Sequence, residues 1–180
     1  MRVERIVRPV DADAVSGSRW LVTIGERDPG TVERLLGLLP GWFGIDSSNA
    51  AYVDAAGELP TYLAWPGRQP GEGQPVGALL AQRHFPEAAE IHLMAVDPAV
   101  HRRGVGRALV EALEADLVAD GIEFLQVKTL GPSHPDPGYA LTRQFYLGIG
   151  FRPLEELHGL WDENSPCLIM VKDLAVSQRR

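Results

Sequence analysis

The residues best suited to chemistry lie in "AVDPAVHRRGVGRALV", Ala95–Val110. Arg102, Arg103 and Arg107 are threaded through Gly104, Val105 and Gly106, where an extended run gives way to a helical pattern. The first turn of a helix leaves backbone N–H groups without intrahelical partners, and the helix dipole adds partial positive charge there. Glycines at such a turn remove the Cβ atoms that would hold an anion away from the backbone, and arginines add forked, charged donors. The spacing predicts a receptor for a di- or triphosphate. The GxxxxGK[ST] phosphate loop is excluded, because no lysine lies near. The three-glycine dinucleotide turn is excluded as well, because Leu109 stands at its third position.

Other side chains offer little nucleophilic or metal chemistry. Cys167 is the only cysteine and sits in the apolar run "SPCLIMV", which predicts a buried thiol. The histidines show no ligand spacing with carboxylates or cysteine, so no metal is expected. There is no G-x-S-x-G elbow.

The elements that must carry these residues can be read from periodicity. Trp20–Ile24 and Arg5–Arg8 are both strand-like. A helix is predicted from Asp28–Thr31, with Val32, Leu35, Leu36 and Leu39 as its apolar stripe and Pro40-Gly41 as its stop. Ser47 or Ser48 is the expected cap of a second helix. "PTYLAW", "PVGALLAQRHF" and "AEIHLMAV" read as three strands, followed by the helix after Gly104, whose Val105, Leu109, Ala112, Leu113 and Leu117 share one side. "IEFLQVKTL" is the next strand, with Ile122, Phe124 and Leu125 expected to be buried. "GPSHPDPG" is a stiff loop in which Asp136 forms a turn, and a helix over Tyr139–Gly148 and two last strands complete the chain.

Length and composition frame this order. The chain has 180 residues, 45% hydrophobic and 23% charged, which suits one domain over residues 1–180. Its formal net charge of -7 argues against nucleic acid or an anionic membrane as partner, and favours cationic ones. Only Lys128 and Lys172 among the 17 basic residues are lysines. The opening "MRVERIVRP" has no signal-peptide core, and no apolar run reaches the roughly 18 residues of a membrane span, so a cytoplasmic protein is expected.

"AVDPAVHRRGVGRALV" resembles the acetyl-CoA signature of the GNAT superfamily of N-acyltransferases, Gln/Arg-x-x-Gly-x-Gly/Ala after V-x-P, with His101 in the first place. "RQFYLGIGF", Arg143–Phe151, is similar to that family's second landmark, F-Y-x-x-x-G-F. The resemblance implies an α+β, three-layer αβα fold: a single mixed, mostly antiparallel sheet of about seven strands flanked by helices. It implies acetyl-CoA as co-substrate, with pyrophosphate on Arg102–Arg107 and the pantetheine arm along Met94, Ala95 and Val96. It further implies that this strand and Ile122–Leu130 splay apart, and that Tyr146 is the general acid for the leaving thiolate.

The base has two candidates. Glu90 and His92 are two apart on a strand and so share a face. His92 has an ordinary pKa near neutrality, and Glu90 could act through a water. Gln126, where some relatives carry Glu, cannot act as base. The acceptor side implied by the family includes Trp42, Phe43, Tyr52, Tyr139 and Trp161 as an aromatic lining and Asp46, Asp162 or Glu163 as ammonium partners. The expectation is an N-acetyltransferase acting on a primary amine of a small molecule or peptide. The alternative is an acyl-CoA sensor of the same fold, and a homodimer is left open.

Overall fold

The computed structural model describes residues 20–67, 69–71 and 73–175. In chain order it holds β1 (Leu21–Glu26), α1 (Pro29–Gly37), α2 (Asp46–Ala56), β2 (Thr61–Trp65), β3 (Gly77–Phe85) and β4 (Ala88–Val96). After a 3-10 turn at Pro98–Val100 follow α3 (Val105–Ala119), β5 (Phe124–Leu130), α4 (Pro137–Gly148), β6 (Arg152–Asp162) and β7 (Ser165–Asp173). The order matches the one read from periodicity. Arg5–Arg8 lie outside the described residues.

The strands form a seven-stranded sheet in the order β1-β2-β3-β4-β5-β7-β6. Pairs β1/β2, β2/β3, β5/β7 and β6/β7 are antiparallel, while β4 and β5 run parallel. A parallel pair needs a crossover, and α3 supplies it. The β4/β5 register covers Ala88↔Phe124 to Ile91↔Val127 and goes no further. Four helices flank this mixed sheet, as expected.

The described residues divide into two compact units. One takes the residues up to Ala81 with Leu93–Leu113; the other takes Gln82–His92 with those from Glu114 onward. In the first unit, Val32, Leu35, Leu36 and Leu39 of α1 pack with Leu63, Ala78, Leu80, Leu93 and Ala95 of the sheet. The adjacent residue Gly77 points the other way, where α3 lies: a Cβ there would come 2.8 Å from Val105 Cγ1 and 3.1 Å from Leu109 Cδ1. Helices therefore cover both faces of β3 in this unit.

In the second unit Phe151, Leu125 and Met170 are fully buried, and Lys172 of β7 pairs with Glu114 of α3.

Local chemistry explains the starts of α1 and α4. Asp28 caps α1 by accepting from Thr31 N–H at 2.9 Å. Asp136, expected only as a turn former, caps α4 in the same way through Tyr139 N–H, so α4 begins at Pro137. Helix α2 departs from expectation. It starts at Asp46 with Ile45 in the cap place and no side-chain cap, leaving Ser47 and Ser48 inside the first turn. Phe124 is also corrected: it is 45% exposed, because it opens β5 at the end of the pairing with β4.

Candidate active site

The arginine–glycine turn is built by backbone conformations that few residues adopt. Asp97 Oδ1 accepts from Ala99 N–H at 2.9 Å and fixes the 3-10 turn. Arg102 then takes φ 61° and Gly104 φ 88° before α3 begins at Val105. Among the described residues nothing lies within 4 Å of a Cβ built on Gly104, so glycine is favoured there by φ and not by crowding. Arg102, Arg103 and Arg107 are exposed. Arg107 faces Glu111 at 3.8 Å; neither Arg102 nor Arg103 pairs with a carboxylate among the described residues. Val105 turns its side chain into the core, so only its backbone can serve a ligand.

Two tryptophans that sequence reasoning did not connect to this turn hold it. Trp20 Nε1 donates to the Arg103 carbonyl at 2.8 Å. Trp42 meets the His101 ring edge-on at 6.0 Å between centroids, and His101 Nε2 lies 2.8 Å from the Val96 carbonyl. His101 thus ties the end of β4 to the turn. Met94 and Val96 are half-buried and Ala95 is buried.

The second unit gathers the titratable residues. Glu90, 5% exposed, receives Lys128 Nζ at 3.0 Å on Oε1 and 2.8 Å on Oε2, Gln126 Nε2 at 2.9 Å and the His84 ring at 2.7 Å. Burial alone raises a carboxyl pKa, but the bonds from Lys128, His84 and Gln126 outweigh it and hold Glu90 below its ordinary value. His92 is also held below its ordinary value, first by burial. The Glu90 charge opposes this shift, and those of Lys128 and His84 add to it. A cavity of about 370 Å³ adjoins the cluster, walled by His84, Gln126 and Lys128 and by the exposed rings of Phe85 and Phe124.

Tyr146 is buried on α4 between Phe145 and Phe151, with ring centroids 5.2 Å and 5.3 Å away. Burial pushes its phenol above the ordinary value, so it keeps its proton. Cys167 is buried and its thiol is pushed up, chiefly by burial. Among the described residues no group of three or more His, Cys, Asp or Glu could hold a metal ion, and no helix is long and apolar enough to cross a membrane.

The aromatic residues expected at the acceptor side have different surroundings. Trp42, Phe43 and Tyr52 pack against the core under α1 and α2, while Trp161 is exposed on β6. Asp46 lines a cleft of about 420 Å³ with Glu33 and Asp54 on α1 and α2. Asp162 is taken up by the β6–β7 turn through Asn164 and Ser165.

Sequence could have flagged Lys128 as one of two lysines, two residues from Gln126 on the same face of β5. It could not show that the parallel register sets Gln126 beside Glu90.

Comparison with known proteins agrees with this architecture. A GNAT-family protein of Desulfovibrio desulfuricans superposes with a TM-score of 0.72 at 18% identity, over 85% of this chain and 99% of that one. The ribosomal-protein-S18-alanine N-acetyltransferase of Escherichia coli gives 0.65 at 20%, over 85% and 94%. An aminoglycoside 6'-N-acetyltransferase complexed with coenzyme A gives 0.63 at 17%, over 85% and 96%. These likenesses show the fold. No curated protein sequence matches the chain. The sequence pattern of the acetyltransferase (GNAT) family matches residues 42–145, more than half of the chain. The protein belongs to the acetyltransferase (GNAT) family and is an acyltransferase.

Proposed function

We propose that the protein transfers the acetyl group of acetyl-CoA directly to a primary amine of a small molecule or peptide, with no covalent enzyme intermediate. The observation that carries this reading is the turn before α3. Positive φ at Arg102 and Gly104, guanidinium groups at Arg102 and Arg103 that pair with no carboxylate among the described residues, and the N-terminus of a 15-residue helix suit a pyrophosphate. Arg102, Arg103 and Arg107 would supply charge, and the backbone of Gly104, Val105 and Gly106 would supply N–H donors.

The pantetheine arm is assigned to Met94, Ala95 and Val96, because β4 beyond Ile91 has no register with β5 among the described residues. One qualification comes from His101, which already occupies the Val96 carbonyl. A relative of known structure is complexed with coenzyme A, which supports acetyl-CoA as the co-substrate here.

Transfer must be balanced in protons. An ammonium acceptor loses one proton before its nitrogen attacks the thioester carbonyl. The nitrogen loses a second as the tetrahedral species collapses, the C–S bond breaks and the thiolate takes up one proton. One proton leaves for solvent overall. Tyr146, kept protonated by burial, is assigned to the departing sulfur. The group that takes the first proton is drawn from Glu90 and His92. Relatives named for an aminoglycoside and for a ribosomal-protein alanine act on amines. The carboxylates of Glu33, Asp46 and Asp54 give the α1–α2 cleft a field suited to a cationic acceptor.

Calorimetric titration with acetyl-CoA, CoA and dephospho-CoA at two salt concentrations tests this, followed by thiol release across an amine panel. Salt-sensitive binding and amine-dependent thiol release are expected. Absence of coenzyme binding would overturn the reading; binding without release by any amine would turn it to an acyl-CoA sensor.

A further inference from the structure

The base is decided by how Glu90 is held. A carboxylate has about four lone-pair sites. Lys128 Nζ reaches both oxygens, and Gln126 and His84 both close on Oε2, so three contacts crowd Oε2 and one falls on Oε1. The three partners come from β3 and β5, on either side of β4 in the sheet. A carboxylate acting through a water needs a lone pair directed at that water and a proton affinity near the working pH. Oε2 has no lone pair to spare, and the same contacts hold the proton affinity of Glu90 below its ordinary value. His92 stands two residues along the same strand, on the same face, and is partly accessible.

We infer that Lys128 is a positioning residue for proton removal: its ammonium clamps Glu90 as a fixed anion, and His92 takes the proton from the acceptor. This rests on the acetyl-transfer reading. In the step, one ammonium N–H bond breaks, the electron pair stays on nitrogen, and the proton passes to the His92 imidazole and then to solvent.

The pairing has a physical purpose. The charged and titratable groups acting on His92 are Glu90 on its own strand, Lys128 on β5 and His84 on β3. Glu90 alone would favour the imidazolium and leave His92 occupied by a proton at neutral pH. Lys128 alone would disfavour it and weaken the base. Held 2.8 Å apart, the two charges act on the ring in opposite directions.

The test follows the His92 ring signals by NMR across pH in the free protein, with His92→Gln to assign them, beside the pH dependence of kcat/KM for an accepted amine. Lys128→Met should raise the His92 midpoint by about one pH unit, since Glu90 is left uncompensated, and the acid limb of kcat/KM should rise with it. Lys128→Arg should keep both near the parent values. A folded Lys128→Met protein with an unmoved His92 midpoint overturns the inference. Should that variant not fold, the parent protein decides: an acid limb coinciding with the His92 midpoint supports it, and one in the carboxylate range overturns it. Failure of every amine would count against acetyl transfer, while the NMR shift still reads the Lys128–His92 coupling.

Discussion

Val105, the first residue of α3, rests on the bare backbone of Gly77: a Cβ at Gly77 would stand 2.8 Å from Val105 Cγ1. The start of the helix is therefore set by how closely β3 lets it approach, and the arginine–glycine turn ends at that same residue. Strand packing fixes the place of the turn.

Gly77→Ala should destabilise the protein by about 1–3 kcal/mol, the usual result of overpacking a filled core. It should also weaken coenzyme binding, because Val105 must move. Denaturant unfolding and calorimetry check the two effects; a variant as stable as the parent would show that α3 yields without strain.

Gly104 separates conformation from space. Gly104→Ala meets nothing within 4 Å, so its cost is that of a left-handed residue, about 1–2 kcal/mol of stability. Gly104→Glu carries that same cost and sets a carboxylate at the anion site, so it should abolish coenzyme binding where the alanine variant only weakens it. Equal affinity in the two variants would remove the phosphate from this turn.

Tyr146→Phe keeps the ring between Phe145 and Phe151, so stability and coenzyme affinity should stay near the parent's. Turnover should fall about 100-fold or more, the scale of a lost general acid. Undiminished turnover would take the acid role from Tyr146.

Stability should depend on pH through the buried cluster. Glu90 sits below its ordinary 4.5 in the folded protein, so the unfolded chain binds its proton more readily. Its contribution is complete above 4.5 and is lost as the pH falls through the folded value. His92 is also held below its ordinary 6.5, so its effect begins higher, with stability declining as the pH drops from 6.5. Denaturation midpoints of the parent and Glu90→Gln should differ most above 4.5 and converge in acid. A constant difference would mean that Glu90 is not held as an anion.

Much of this was legible in the chain. Asp28 with the Val32, Leu35, Leu36 and Leu39 stripe defined α1, and the capping carboxylate and the buried face are both local consequences of that spacing. The two family landmarks marked the arginine–glycine turn and the α4 segment that carries Tyr146, because turn geometry and helix starts are short-range properties. Phe124 was misread for the opposite reason: hydrophobicity alone cannot say where the pairing of two distant strands begins.

The sequence by itself determined the order of elements, the arginine–glycine turn before α3 and the acidic balance of the whole. Each depends on residues a few places apart or on simple sums. Only the tertiary structure decided what surrounds Glu90. Two of its partners, Gln126 and Lys128, are 36 and 38 residues away, brought alongside by a parallel register that one strand cannot encode alone. Burial of that meeting point matters as well, because removing water strengthens every bond Lys128 makes to the Glu90 carboxylate.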